Sequence, residues 1–135
     1  MNAVDTNVLI YAHDPRDQKK QNQATALISS LSDGVLLWQV ACEYVSASRK
    51  LAAFGLNSQR AFADLTRLQS VWIPSLPTWE VLDKAEVFMA TGNLSYWDAM
   101  ILAACAEAGV RTLYSEDFDD SMTPLTGIRV VNPFV

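Results

Sequence analysis

Apolar residues fall into two kinds of run along this chain. Short unbroken runs alternate with longer stretches in which apolar residues return every three or four positions. In residues 1–12, Val4 and its neighbours predict a very short strand. Val8, Leu9, Ile10, Tyr11 and Ala12 then predict a buried helical turn or two, with Thr6 or Asn7 capping the junction. Asp5 interrupts the run at the carboxyl end of that strand, the end where ligand sites form in open parallel sheets. The polar run 13–23 breaks the pattern, with Pro15 suited to the first turn of a new helix and Asp14 to its cap. Ala24, Leu27, Ile28 and Leu31 carry that helix to near Ser32, and Asp33 and Gly34 supply its stop and turn. Val35, Leu36 and Leu37 predict a short strand buried on both faces.

From Gln39 the spacing of Val40, Tyr44, Ala47 and Leu51 predicts a helix ended by Gly55, with Glu43 on the edge of its apolar stripe. A further helix covers 58–68, and residues 71–73 predict a third strand bounded by Pro74 and Pro77. Thr78 caps a helix that carries Val81, Leu82, Ala85, Phe88 and Met89 and stops near Gly92. Residues 95–106 give the strongest helix signal, ended by Ala108 and Gly109. Residues 111–114 predict a fourth strand, 115–120 a loop at its carboxyl end, and 128–131 a short fifth strand. Strands alternating with helices predict an α/β fold: a three-layer α/β/α sandwich around a central, mainly parallel sheet of four to five short strands.

Composition narrows the picture. At 135 residues and half apolar, the chain is long enough for one domain with a real core and too short for two, so a single domain over 1–135 is expected. A net charge of -5 leaves no basic field for holding nucleic acid non-specifically. Any such role rests on local basic residues or on bound cations. Lys19, Lys20, Arg49 and Lys50 are the candidates for phosphate contacts, against the plainer reading of solvated surface cations. Cys42 and Cys105 fall in apolar helical segments outside any CxxC or Cys/His cluster, so both are expected as buried free thiols in a reducing cytoplasm. Neither an export signal nor a membrane span is expected. The only histidine, His13, reads as a surface residue of the polar run, and Trp72, Trp79 and Trp97 as packing residues.

Four acidic residues are notable for their places: Asp5 after the first strand, Glu43 in the helix after the second, Asp98 in the first turn of an apolar helix, and Asp117 after the fourth strand. The topology can bring all four to one end of the sheet. Like charges in a partly desolvated pocket raise one another's pKa values, and a divalent cation compensates them. Mg²⁺ or Mn²⁺ takes oxygen ligands and leaves positions for water and phosphate oxygens. Such an ion can activate a water to attack phosphorus and stabilise the leaving oxygen, so no His or Lys base is obligatory. Taken singly, each residue has a plainer role. Asp98 stands at capping-box spacing from Ser95. Asp5 can bond the N–H groups of the next helix, worth about 1 kcal/mol. Glu43 can lie on a solvated helix edge or pair with Arg49 or Lys50, and Asp117 can be an ordinary loop residue.

Residues 4–12 (Val-Asp-Thr-Asn-Val-Leu-Ile-Tyr-Ala), 39–44 (Gln-Val-Ala-Cys-Glu-Tyr), 96–104 (Tyr-Trp-Asp-Ala-Met-Ile-Leu-Ala-Ala), 113–118 (Leu-Tyr-Ser-Glu-Asp-Phe) and 130–134 (Val-Val-Asn-Pro-Phe) resemble, in that order, the PIN-domain family. The likeness is greatest to VapC-type toxins of toxin–antitoxin pairs and runs from end to end. It implies a metal-dependent ribonuclease, using Mg²⁺ or Mn²⁺, that cleaves RNA and is inhibited when a VapB-type antitoxin occupies its groove. It also implies a homodimer, for which the apolar helices after Ser58 and Thr78 could supply the surface. Asp5, Glu43, Asp98 and Asp117 match the family's acidic quartet, with Glu116 and Asp119 close enough to take the place of Asp117. Asn7 and Ser115 match its supporting polar residues, and Thr6 with Asn7 holds the turn that aims Asp5. Trp38 departs from the pattern, standing where relatives commonly carry a small hydroxyl residue. Two other readings compete. One is a PIN-like partner-binding module without turnover. The other, a haloacid-dehalogenase-like phosphatase, wants an aspartate two residues after Asp5, where Asn7 stands, and is set aside.

Overall fold

The apolar runs become five strands, all paired in parallel, in the order β3-β2-β1-β4-β5. The computed structural model describes residues 1–135. In chain order the elements are β1 (Asn2–Val4), α1 (Thr6–Tyr11), α2 (Gln18–Ser30), β2 (Gly34–Leu37), α3 (Trp38–Ser48), a 3₁₀ turn (Arg49–Phe54) and α4 (Ser58–Val71). They continue as β3 (Ile73–Ser75), α5 (Trp79–Thr91), α6 (Tyr96–Glu107), β4 (Thr112–Tyr114), α7 (Thr123–Thr126) and β5 (Arg129–Val131). Parallel crossovers are right-handed, so steps from β1 to β2 to β3 keep their helices on one face, and the return past β1 to β4 lays its helices on the other. The packing follows: α1 packs on α2 and α3, and α3 on α4, while α5, α6 and α7 pack on one another. This is the α/β/α sandwich expected. Its central strand is β1, and the four residues of β2 beside it are all buried, with Ala3, Val4 and Leu113 in the same core of 28 apolar residues. No helix is long and apolar enough to cross a membrane.

Several expectations are corrected. The second helix starts at Gln18 with Asp17 as its cap, because Asp14 is held by Arg16, whose Nε and backbone N–H donate to Oδ1 at 2.8 and 3.0 Å. The helix from Trp38 gives way at Arg49 to the 3₁₀ turn before Gly55, at φ 91°, stops the chain. β3 lies two residues later than the pattern suggests: Val71 ends α4, Trp72 is buried, and Pro74 is tolerated because β3 is an edge strand. The short α7 falls where the pattern predicts no element. Cys105 is buried, and desolvation raises its thiol pKa, but Cys42 is exposed on the outer side of α3. Trp79 and Trp97 are exposed too, so of the three tryptophans expected to pack only Trp72 does. His13 is half-buried, its Nε2 3.2 Å from Oδ2 of Asp64. Tyr44 also donates to that oxygen, at 2.8 Å, while Arg60 and Arg67 donate to Oδ1.

Gly34 does more than stop a helix. A Cβ at this position would lie 2.5 Å from the Trp72 indole, whose Nε1 donates to the carbonyl of Leu31 at 3.3 Å. The first residue of β2 is therefore a glycine because an aromatic ring lies against its backbone. Gly34→Ala should destabilise the protein by about 1–3 kcal/mol through overpacking. Urea unfolding measures this, and an unchanged midpoint would mean that the indole moves freely.

Candidate active site

The strand order turns at β1: the chain leaves it toward β2 on one side, and β4 arrives on the other. Ligand crevices form at the carboxyl ends of such neighbours. Asp5 follows β1 and Ser115 follows β4, and the backbone N–H of Asp5 donates to the carbonyl of Tyr114 at 2.8 Å. Asp5 itself is the N-cap of α1, correcting the expectation that Thr6 or Asn7 would be. The Thr6 N–H donates to its Oδ1 and the Ser115 hydroxyl to its Oδ2, both at 2.7 Å.

Asn7 ties this carboxylate to the next. Its Nδ2 lies 3.5 Å from Oδ2 of Asp5, 3.3 Å from Oγ of Ser115 and 3.1 Å from Oδ2 of Asp117. The Asp117 N–H donates to Ser115 Oγ at 3.1 Å. Glu43 is bonded neither to Arg49 nor to Lys50. Thr6 Oγ1 donates to its Oε2 at 2.8 Å and Gln39 Nε2 to its Oε1 at 2.9 Å.

The three candidates for the fourth acid separate cleanly. Glu116 is engaged elsewhere, accepting from Tyr11 Oη at 2.7 Å and from Lys20 Nζ at 2.9 Å. Lys20, a candidate phosphate contact by sequence, is thereby committed: Glu116 and Tyr11 hold its pKa well above the ordinary value. Asp119 is exposed and accepts from the N–H of Ser121. Only Asp117 turns toward Asn7 and Ser115.

Asp98 stands apart from the other three. Its N–H donates to Ser95 Oγ at 3.2 Å, as the capping spacing predicts, but its carboxylate makes no hydrogen bond to the chain. Its link to the site is indirect, through Gln39, whose Nε2 also approaches the carbonyl of Trp97 at 3.4 Å. Sequence reasoning assigns Gln39 no role. Its spacing of four from Glu43 is the signal that could have found it.

Electrostatics set Asp5 apart. It is only 7% exposed, and its pKa is pushed up from 3.8 to about 6. Desolvation is the main cause, opposed by the bonds from Ser115 and Thr6 and reinforced by the charges of Asp117 and Glu43. No three acidic, His or Cys side chains are drawn together closely enough to form a ready metal-ligand group. In chemistry, however, the donor set fits a hard divalent cation. Every candidate ligand is oxygen, the charges of Glu43 and Asp117 act on Asp5, and an added cation would relieve that repulsion. Buried polar atoms without partners also concentrate here. Of three in the molecule, two are Asn7 Oδ1 and Gln39 Oε1, on the amides that hold these carboxylates.

A groove of about 540 Å³ opens beside Glu43, lined by Trp38, Leu76, Val81, Trp97 and Met100 among others. Trp38, Leu76 and Trp97 are all more than half exposed.

A family model described as PIN domain matches residues 3–121. No curated protein matches the sequence. Among solved structures, a toxin–antitoxin complex from Klebsiella pneumoniae is similar at 19% identity and TM-score 0.71, covering 98% of each chain. VapC20 of Mycobacterium tuberculosis, described as a sarcin–ricin loop cleaving toxin, is similar at 20% identity and TM-score 0.69, over 96% of this chain and 99% of that one. VapBC-1 from nontypeable Haemophilus influenzae gives 15% identity and TM-score 0.65, over 99% and 98%. At these identities the likeness is one of fold.

The burial of Asp5 has a measurable sign. A carboxyl whose folded pKa is raised makes the folded state progressively less stable as pH climbs from 3.8 to about 6. Holding it ionised above that window costs about 3 kcal/mol. An asparagine removes that charge and gives up about 1 kcal/mol of hydrogen bonding. With divalent cations removed, Asp5→Asn should therefore raise unfolding free energy by about 2 kcal/mol at pH 7.5 and lose the advantage near pH 4. Denaturant titrations at the two pH values check this, and identical curves at pH 7.5 would contradict the desolvation of Asp5.

Proposed function

The chain belongs to the PIN-domain family, and on that premise we propose that it is a Mg²⁺- or Mn²⁺-dependent endoribonuclease, the toxin of a VapBC-type pair. The observation that carries the reading is the buried Asp5, pushed to about 6 while Glu43 and Asp117 face it from two other elements. So costly an arrangement is retained where a cation is to be held.

Asp5, Glu43, Asp98 and Asp117 hold the ion in this reading. When bound, the cation lowers the pKa of a water and stabilises the oxygen leaving phosphorus. The protein's own part is positioning. Ser115 and the Thr6 N–H fix the two oxygens of Asp5, Thr6 Oγ1 and Gln39 fix those of Glu43, and Asn7 aims Asp117. His13 supplies no base here. It faces Asp64, and its pKa is lowered, chiefly by burial. Glu116 and Asp119, with their own partners, stand outside the set.

The antitoxin part is supported by two of the similar structures, one a toxin–antitoxin complex and the other a VapBC assembly, and by the apolar groove beside Glu43, suited to a polypeptide segment. An RNA substrate is consistent with the similarity to the M. tuberculosis protein, a sarcin–ricin loop cleaving toxin. A cytoplasmic homodimer of one-domain chains completes the reading, with exposed Phe62 on α4 and Trp79 and Val87 on α5 as its candidate contacts. The same groove would also serve a partner-binding module without turnover. Titration calorimetry with Mn²⁺ separates the two, since the nuclease binds the ion and the module does not.

Purified protein should cleave RNA with Mg²⁺ or Mn²⁺ and stop when EDTA removes the ion. Asp5→Asn, Asp98→Asn and Asp117→Asn should each lower the rate by about 100-fold or more. Undiminished cleavage by the Asp5→Asn/Asp98→Asn double variant would sink the assigned site. Glu116→Gln and Asp119→Asn should stay within about threefold of the wild type, since neither carboxylate takes part. A Glu116→Gln variant as damaged as Asp117→Asn would overturn the choice of fourth ligand.

A further inference from the structure

Resting on the nuclease reading, we propose that Gln39 is a positioning residue that holds Glu43 and the first turn of α6 in one frame, so that Glu43 and Asp98 meet the cation together. Glu43 sits midway along α3 on a side chain whose immobilisation opposes folding by about 1.5–2 kcal/mol. No cation of the chain pairs with it. Two neutral donors fix it instead, one for each oxygen: Thr6 at 2.8 Å and Gln39 at 2.9 Å. The spacing of four residues places the Gln39 amide directly over Glu43 on the helix surface.

The second hydrogen of the same amide nitrogen leaves α3 altogether. The nitrogen lies 3.4 Å from the carbonyl oxygen of Trp97, the residue before Asp98. This crossing matters because the two helices find their main neighbours elsewhere, α3 on α1 and α4, α6 on α5 and α7. Gln39 thus carries a bond from the site's helix on one face of the sheet to α6, the helix bearing Asp98. A residue there for bulk alone would need no donors. The buried Gln39 Oε1 lacks a partner, so the amide is held by what its nitrogen donates. Hydrogen-bonding partners of metal ligands act in this way, by orienting the ligand rather than touching the ion.

Gln39→Leu keeps the volume and removes both donated bonds. Calorimetry with Mn²⁺ should find its affinity about 10-fold weaker than wild type. The melting temperature should stay within about 2 °C, because a half-buried side chain is exchanged for one of similar size. Cleavage, reduced at limiting Mn²⁺, should return to within about threefold of wild type at saturating Mn²⁺, which a merely structural lesion would not do. A second readout needs no ion: hydrogen exchange of amides 98–101 should quicken in Gln39→Leu and not in Thr6→Val, which loosens Glu43 but leaves the bridge to α6. If Gln39→Leu fails to fold, the flexible isostere Gln39→Met carries the test. Wild-type Mn²⁺ affinity together with wild-type exchange in either variant overturns the proposal. A wild-type protein that binds no Mn²⁺ overturns the nuclease reading beneath it, and the exchange measurement then decides the bridge alone.

Discussion

A charge is set where water scarcely reaches it, and much of the surrounding structure is arranged around that fact. The Asp5 carboxylate lies at the junction of β1 and α1, covered by neighbouring elements, and desolvation alone would drive it toward the neutral form. The chain answers with donors from two directions. The first N–H of α1 comes from the residue next in sequence, and the Ser115 hydroxyl from the far side of the sheet. The second bond spans 110 residues, so the site exists only when β1 and β4 are already paired, and the pairing of Asp5 N–H with the Tyr114 carbonyl secures that register. Folding and site assembly are therefore one event at this edge.

The remaining members extend the same logic outward. Thr6, whose backbone caps onto Asp5, uses its side chain to reach Glu43, and Asn7 reaches Asp117. Two consecutive residues thereby address three different carboxylates. This is possible because the start of a helix points successive side chains in divergent directions, while the strand end before it stays fixed by the sheet. Asp98, on the opposite helical layer, is the only member of the quartet that this short segment does not reach.

What can be read from the sequence follows from which forces are local. β2 is plain because burial of all four residues leaves an unbroken apolar run, α6 because its sequence is apolar almost throughout, and Asp5 because it breaks such a run. The start of α2 is misplaced by the pattern because Asp14 and Asp17 are both competent caps, and Arg16 makes the choice by taking Asp14. β3 is misplaced because Trp72 and Ile73 are equally apolar, and only the ring's place against Gly34 decides which is buried. Trp79 and Trp97 mislead for the same reason: hydrophobicity does not say which face a helix turns outward. The choice among Glu116, Asp117 and Asp119 is hidden because adjacent loop residues diverge, and Lys20 and Tyr11 claim one of them from 96 and 105 positions away. The bond of Gln39 to Trp97 is hidden in the same way, by a partner 58 residues distant.

The edge formed by β3 limits how a second polypeptide could attach near the site. It is three residues long with a proline at its centre, and proline has no N–H to offer an incoming strand. Ser75 and Leu76, at and just beyond its end, also line the apolar groove that runs to Glu43. Extension of the sheet by an added strand is thus blocked at the point where the groove begins. A segment lying there has to be held by its side chains, which makes recognition depend on the size and spacing of apolar anchors rather than on backbone pairing. The register of such a segment would then depend on which residues fit between Trp38, Leu76 and Trp97, a more selective filter than a ladder of amides that any sequence can complete.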